Sequence, residues 1–283
     1  SLMLQQLIPS AIGQGLNGLS ILSPQVAGRQ AIQFFCHPRR GRLRPDQKTF
    51  LASAEATFQL QTKHGTIQGY TWNPKASRSL LLLHGWESNA ARWGMLIPYL
   101  TRAAWCVHAI DAPAHGASSN ELFDMIQYAD AIAATARDRQ PQVMIGHSVG
   151  GATLAYYLSH YAPEPLDQVI LMGLPISLRT MIQSFQRTLG MNRRSQRGMD
   201  LAFENQFQHS IDYFSTVEFC SAIPFPTLLI HDRDDQPPPL AGGMACYEAL
   251  PHGENFLTEG FGHSLQDVSV YQRIIDYLDE GKP

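Results

Sequence analysis

A serine hydroxyl is a poor nucleophile until a sharp turn presents it and a base takes its proton. Gly146-His147-Ser148-Val149-Gly150 has the G-x-S-x-G spacing that supplies such a turn. The apolar run Val143-Met144-Ile145 ahead of it reads as the end of a strand, and a helix begins near Val149. That context matters because the glycines let a helix start pack hard against its own strand. Gly151 and Ala152 continue the small surface. The start of the helix also directs free N–H groups and partial positive charge at any oxyanion formed beside Ser148. The chemistry implied is acyl transfer through a covalent serine intermediate, which requires a histidine base and an acid to orient it.

The elements needed to bring such groups together are legible from Ala54 onward. Thr57–Gln61 and Thr66–Trp72 flank His64-Gly65 and predict a hairpin. Ser79–His84 is a continuous apolar run, as in a central strand covered on both faces. Further strands are expected at Trp105–Ile110, Gln142–Ile145, Gln168–Met172, Thr227–Ile230 and Asn255–Leu257. Helices are expected at Ala91–Ala103, Glu121–Arg137, Val149–Tyr161, Leu240–Leu250 and Val268–Leu278. This alternation predicts an α/β fold with a mostly parallel sheet flanked by helices. From about Pro175 to Ile223 the rhythm breaks into two or three helical patterns, rich in Arg, Gln, Phe and Met. The expected organisation is an N-terminal, partly helical extension over 1–53, a core over 54–174 and 224–283, and a helical lid over 175–223 above the strand C-termini.

The motifs in this order resemble the α/β-hydrolase family, with its serine esterases and lipases, over roughly Thr57 to Leu278. The resemblance implies a triad in the order serine, acid, histidine. The acid frame falls on His231-Asp232-Arg233-Asp234-Asp235, with Pro239 following, and puts Asp235 in register. Asp232 stands where relatives carry glycine, so Asp234 and then Asp232 are the alternatives. The histidine falls on His263 in Gly260-Phe261-Gly262-His263, 28 residues after Asp235, with room for one helix and one short strand between. The oxyanion donors implied are the N–H groups of Val149 and of Trp86, the latter in His84-Gly85-Trp86. Asp111-Ala-Pro-Ala-His-Gly-Ala-Ser118 resembles a second family landmark, with Ala114 in place of glycine; it reads as scaffold, His115 included. His84, Gly85, His147, Phe185 and Phe207 are candidates for the substrate pocket, although helical spacing of the phenylalanines fits core packing equally.

Composition sets outer bounds. The 283 residues carry 44% hydrophobic and 16% charged residues with a formal net charge of −3, an ordinary globular balance. The basic stretch Arg39, Arg40, Arg42 and Arg44 is short and reads as a solvated loop, so no nucleic-acid partner is expected. The four cysteines have no zinc-like spacing, no cofactor or metal is implied, and the first basic residue is Arg29, against a secretory signal. A cytoplasmic protein without stable membrane insertion is expected, acting on a small-molecule acyl substrate; the pattern fixes no oligomeric state. Serine at 148 argues against the aspartate-nucleophile chemistries of this fold. The expected activity is hydrolysis of a carboxylic ester of small or medium size. Acyl transfer with the same triad, or a non-catalytic ligand-binding relative, are the alternatives.

Overall fold

The computed structural model describes residues 2–161, 163–236 and 238–281. Its strands are β1 (Ala56–Thr62), β2 (Gly65–Trp72), β3 (Arg78–Leu83), β4 (Trp105–Ile110), β5 (Val143–His147), β6 (Gln168–Met172), β7 (Thr227–Asp232) and β8 (Gly253–Thr258). They form one sheet in the order β1-β2-β4-β3-β5-β6-β7-β8. β1 and β2 are an antiparallel hairpin, β2 meets β4 antiparallel, and every later pair is parallel. The α-helices are α1 (Leu2–Leu22), α2 (Pro24–Cys36), α3 (Pro45–Leu51), α4 (Ile97–Arg102), α5 (Met125–Arg139) and α6 (Val149–His160). Then follow α7 (Leu178–Leu189), α8 (Arg193–Phe207), α9 (Thr216–Ser221), α10 (Leu240–Ala249) and α11 (Val268–Glu280).

The central strands are buried because they have no polar face to show. Leu80, Leu81, Leu82 and Leu83 of β3 and Ile145, Ile170 and Ile230 of its neighbours are all fully buried. Trp93, Leu96, Leu100, Ile274 and Leu278 close one side, so the continuous apolar runs of the sequence become a strand layer covered by helices. Strand order reverses between β3 and β5. Connections from these two neighbours leave in opposite directions, which opens a crevice beyond their carboxyl ends, where α/β sheets hold their ligands.

The expected helix over 91–103 is two pieces, a 3-10 stretch Ala90–Met95 and α4. Pro98 is the cause: with no N–H it fits only the first turn of a helix, so the ladder starts afresh there. α5 begins at Met125 rather than near Glu121 because Asp124 caps it, accepting from the Gln127 N–H at 2.8 Å. β7 runs two residues further than expected, to Asp232, which pairs with Thr258.

The described chain forms two compact units, one of residues 38–176 with 216–281, the other of residues 2–37 with 177–215. The second is all helical. Within it α2 crosses α8 where Gly28 meets Gly198, and a Cβ on Gly28 would strike the Gly198 backbone. Asn17 of α1 joins both inserted helices, donating to the Gly190 carbonyl and accepting from Asn192 N–H and the Ser195 hydroxyl. Arg179 is clamped by Asp200 and Asp212 at 2.8 Å each.

Candidate active site

Ser148 sits between β5 and α6 at φ 55° and ψ −126°, a conformation that L-residues avoid. Such strain costs about 1–3 kcal/mol and persists only where surroundings enforce it. Here the Ser148 N–H is held by the Met172 carbonyl of β6 at 2.8 Å, and its own carbonyl accepts from Ala152 at 3.0 Å. Gly150 lies so close to the end of β3 that a Cβ there would stand 2.6 Å from the Leu83 carbonyl oxygen. The motif glycines are therefore a packing requirement of the turn that carries the hydroxyl.

The Ser148 hydroxyl oxygen lies 2.9 Å from His263 Nε2, and His263 Nδ1 lies 2.9 Å from Asp235 Oδ2. Asp235 is fully buried, whereas the His263 side chain is 37% exposed, so the imidazole bridges a dry carboxylate and an open hydroxyl. A carboxylate acceptor assigns the proton to Nδ1 and leaves the Nε2 lone pair facing the serine.

The two other acids of the cluster have a different task. Asp232, fully buried at the end of β7, accepts from the Thr258 hydroxyl at 2.7 Å, from Phe261 N–H at 3.0 Å and from Asp234 N–H at 3.0 Å. Burial alone would raise its pKa, but these donors, with Gly262 N–H, outweigh burial and hold it below the usual value. Asp234 accepts from Gly260 N–H at 3.0 Å. Both carboxylates thus grip the backbone of the loop that carries His263. Sequence reasoning weighed them only as alternative triad acids; the extra carboxylates in His231-Asp-Arg-Asp-Asp235 were the signal for this clamp.

Two further groups fix the same loop. His147 Nε2 lies 2.7 Å from the His263 carbonyl oxygen, so it donates there, and its ring packs 4.8 Å from the His263 ring. Burial pushes the His147 pKa well below its usual value, and the imidazole is neutral. Arg92 donates to the Ser264 carbonyl at 2.8 Å, while its own carbonyl accepts from the Gln266 amide. No motif marks Arg92 in the sequence.

The loop after β3 reaches the serine from the other side. A Cβ on Gly85 would stand 2.9 Å from the Ser148 Cβ and 3.1 Å from the His147 carbonyl oxygen. The Trp86 indole packs edge-on against His115 and Phe123 at 5.4 Å each. His84 is fully buried: its Nε2 accepts from Ala112 N–H at 2.9 Å, so its Nδ1 donates to the Gly85 carbonyl at 2.8 Å. Burial drives its pKa to about 3. His115 is buried likewise, with Nε2 accepting from Glu87 N–H and Nδ1 donating to the Pro113 carbonyl; burial takes its pKa to about 4. Asp111 accepts from Ala90 N–H, Ala117 N–H and the Tyr70 hydroxyl, and burial, only partly offset by these donors, lifts it to about 6.

The structure thus brings Ser148, His263, Asp235, His147 and Gly85 to one place. Phe185 and Phe207 belong to the helical unit, where Phe185 packs on Phe35 at 5.3 Å and Phe207 on Phe203 at 4.5 Å. Among the described residues no group of three or more His, Cys, Asp or Glu side chains is arranged to hold a metal ion, and no helix is long and apolar enough to cross a membrane.

Comparison with known proteins is consistent with this architecture. A family model described as the alpha/beta hydrolase fold matches residues 78–207. A bifunctional esterase/perhydrolase from Acinetobacter calcoaceticus is 25% identical over 253 residues, 72% of this chain and 92% of its own. A non-heme chloroperoxidase from Burkholderia pyrrocinia is 25% identical over 251 residues, 70% of this chain and 90% of its own. The solved structure of an esterase from Pyrococcus furiosus aligns with a TM-score of 0.66 at 19% identity, covering 87% of this chain and 97% of the other. The order of the strands, the serine turn at the reversal of that order and these likenesses agree: the chain has the α/β-hydrolase fold.

Proposed function

We propose that the protein is a serine hydrolase that cleaves a carboxylic ester through an acyl-enzyme on Ser148. The observation that carries this reading is the unbroken chain Ser148 Oγ, His263 Nε2, His263 Nδ1, Asp235 Oδ2, with both steps at 2.9 Å and the carboxylate fully buried. His263 Nε2 takes the hydroxyl proton as Oγ bonds to the ester carbonyl carbon. Asp235 keeps the imidazole in the tautomer that leaves Nε2 unprotonated, then stabilises the imidazolium. The N–H groups of Val149, at the start of α6, and of Trp86, beyond Gly85, receive the negative oxygen. His263 returns the proton to the departing alkoxide, and the alcohol leaves. A water then gives its proton to Nε2 and attacks the acyl carbon, releasing the acid and free Ser148. The substrate is a small or medium acyl ester.

The test is a panel of p-nitrophenyl esters of increasing chain length. Turnover of the short and medium members, lost in Ser148→Ala, supports the reading; absence of turnover on all of them rejects it. Adding alcohol, amine or thiol acceptors distinguishes acyl transfer, since a transferred acyl product then replaces the free acid.

A further inference from the structure

The helical unit has a charge balance unlike the rest of the chain. Whereas the whole protein is formally −3, the segments 2–37 and 177–215 hold six arginines against three carboxylates. Two of those carboxylates, Asp200 and Asp212, are engaged by Arg179. Arg29, Arg187, Arg193, Arg194 and Arg197 are all exposed, and Glu204 is the remaining acid.

Two of these arginines, Arg193 and Arg194, lie beside one apolar tip. The end of α1 presents Ile21 at 67% and Leu22 at 85% exposure, among the most exposed large hydrophobic side chains of the described chain. The Arg194 guanidinium donates to the Ile21 carbonyl at 3.4 Å, and Arg193 precedes it at the start of α8. Arg194, Arg197 and Leu201, itself 43% exposed, follow at three- and four-residue steps and so share one face of α8. Arg29 and Arg197 flank the two glycines at which α2 crosses α8, and Arg187 lies in the last turn of α7, just before the Gly190 held by Asn17. α1 itself contains no charged residue.

Exposed aliphatic side chains beside arginines that meet no carboxylate among the described residues fit an interface that is apolar inside and negative outside. We propose that this tip of the helical unit docks on the surface of an anionic phospholipid bilayer, with Ile21 and Leu22 entering the headgroup boundary and the arginines meeting lipid phosphates. The contact is peripheral, since no described helix can span a membrane. It draws on different residues from the serine site and stands or falls separately from it.

Co-sedimentation of the full chain with vesicles tests this, comparing phosphatidylcholine alone with phosphatidylcholine containing about 30% phosphatidylglycerol. Binding at least about tenfold stronger to the anionic vesicles, and lost at about 0.5 M salt, is expected. Ile21→Ser with Leu22→Ser, and separately Arg193→Gln with Arg194→Gln, should each lower binding by about tenfold or more. Thermal midpoint and turnover of a soluble ester should stay unchanged. Equal binding to both vesicles, variants that bind like the parent, or retention on heparin or duplex DNA without vesicle binding would each overturn the proposal.

Discussion

Two histidine–aspartate corners lie at the same end of this sheet, and they differ in what their nitrogens face. In the corner after β3 and β4, His84 and His115 are buried, and each spends both ring nitrogens on the backbone. Asp111 receives two backbone N–H groups and a tyrosine hydroxyl. Every group there is satisfied, and the corner is inert scaffold that fixes two loops. In the corner after β7 and β8, His263 faces a carboxylate on one side and the Ser148 hydroxyl on the other, and it stays partly open to solvent. What separates the histidine proposed as base from the structural ones is the partner of each nitrogen. The backbone grip is delegated to Asp232, Asp234, His147 and Arg92, leaving both imidazole nitrogens of His263 to side-chain partners.

The comparison is broken most sharply by exchanging the losses. His263→Ala should lower kcat on a p-nitrophenyl ester by about 10⁴-fold or more per folded molecule, well beyond any loss of stability from stranding the Asp235 carboxylate. His115→Ala should keep most of the activity per folded molecule yet lower stability by about 1–3 kcal/mol, because it strands the Glu87 N–H. Kinetics and urea unfolding on both variants read the two effects, and equal kinetic losses would erase the distinction.

A second expectation concerns acid. His84, His108 and His115 have folded pKa values near 3, 4 and 4, depressed chiefly by burial below the unfolded value. Each therefore supports the fold fully above about pH 6.5, and that support is lost as pH falls towards its folded pKa. The slope is about 1.4 kcal/mol per pH unit per group. Asp111, raised to about 6, acts with the opposite sign between about pH 4 and 6 and offsets one of the three. For these four groups the net is a loss of about 3 kcal/mol per unit around pH 5, to which His147 and His231, depressed by burial too, add with the same sign; urea unfolding at pH 7, 6 and 5 reads it. A stability independent of pH in that window would mean that these imidazoles are not buried neutral.

A smaller effect sharpens the second corner. His147→Phe fills the ring's space but removes the donor to the His263 carbonyl, and kcat should fall about tenfold with KM little changed. His147→Gln, whose amide nitrogen reaches the position of Nε2, should restore most of it. Rescue by Gln identifies positioning, whereas equal losses in both variants point to packing. Smallest is Ala114→Gly in the scaffold corner. Ala114 adopts φ 66°, and relieving that strain should raise stability by about 1 kcal/mol in urea unfolding.

Much of this was legible in the sequence, for identifiable reasons. Continuous runs such as Leu80–Leu83 announce covered strands, and the glycines around Ser148 announce a tight turn before any coordinates exist. The register of Asp235 followed from the family frame. The tasks of Asp232 and Asp234 did not, because they depend on β7 reaching Asp232 and pairing with Thr258, a long-range register that local pattern cannot supply. The packing of α1 and α2 with α7 and α8 was hidden likewise: Gly28 and Gly198 lie far apart in the chain, and neither flanking sequence names its partner.

The proposed nucleophile is Ser148, activated by the His263 imidazole that Asp235 holds from behind. Labelling with a fluorophosphonate probe, followed by peptide mass mapping, measures that directly. Fast modification at Ser148 in the parent is expected, absent in Ser148→Ala and slowed by orders of magnitude in His263→Ala. Labelling that is absent in the parent, or that proceeds at the same rate without His263, would contradict it.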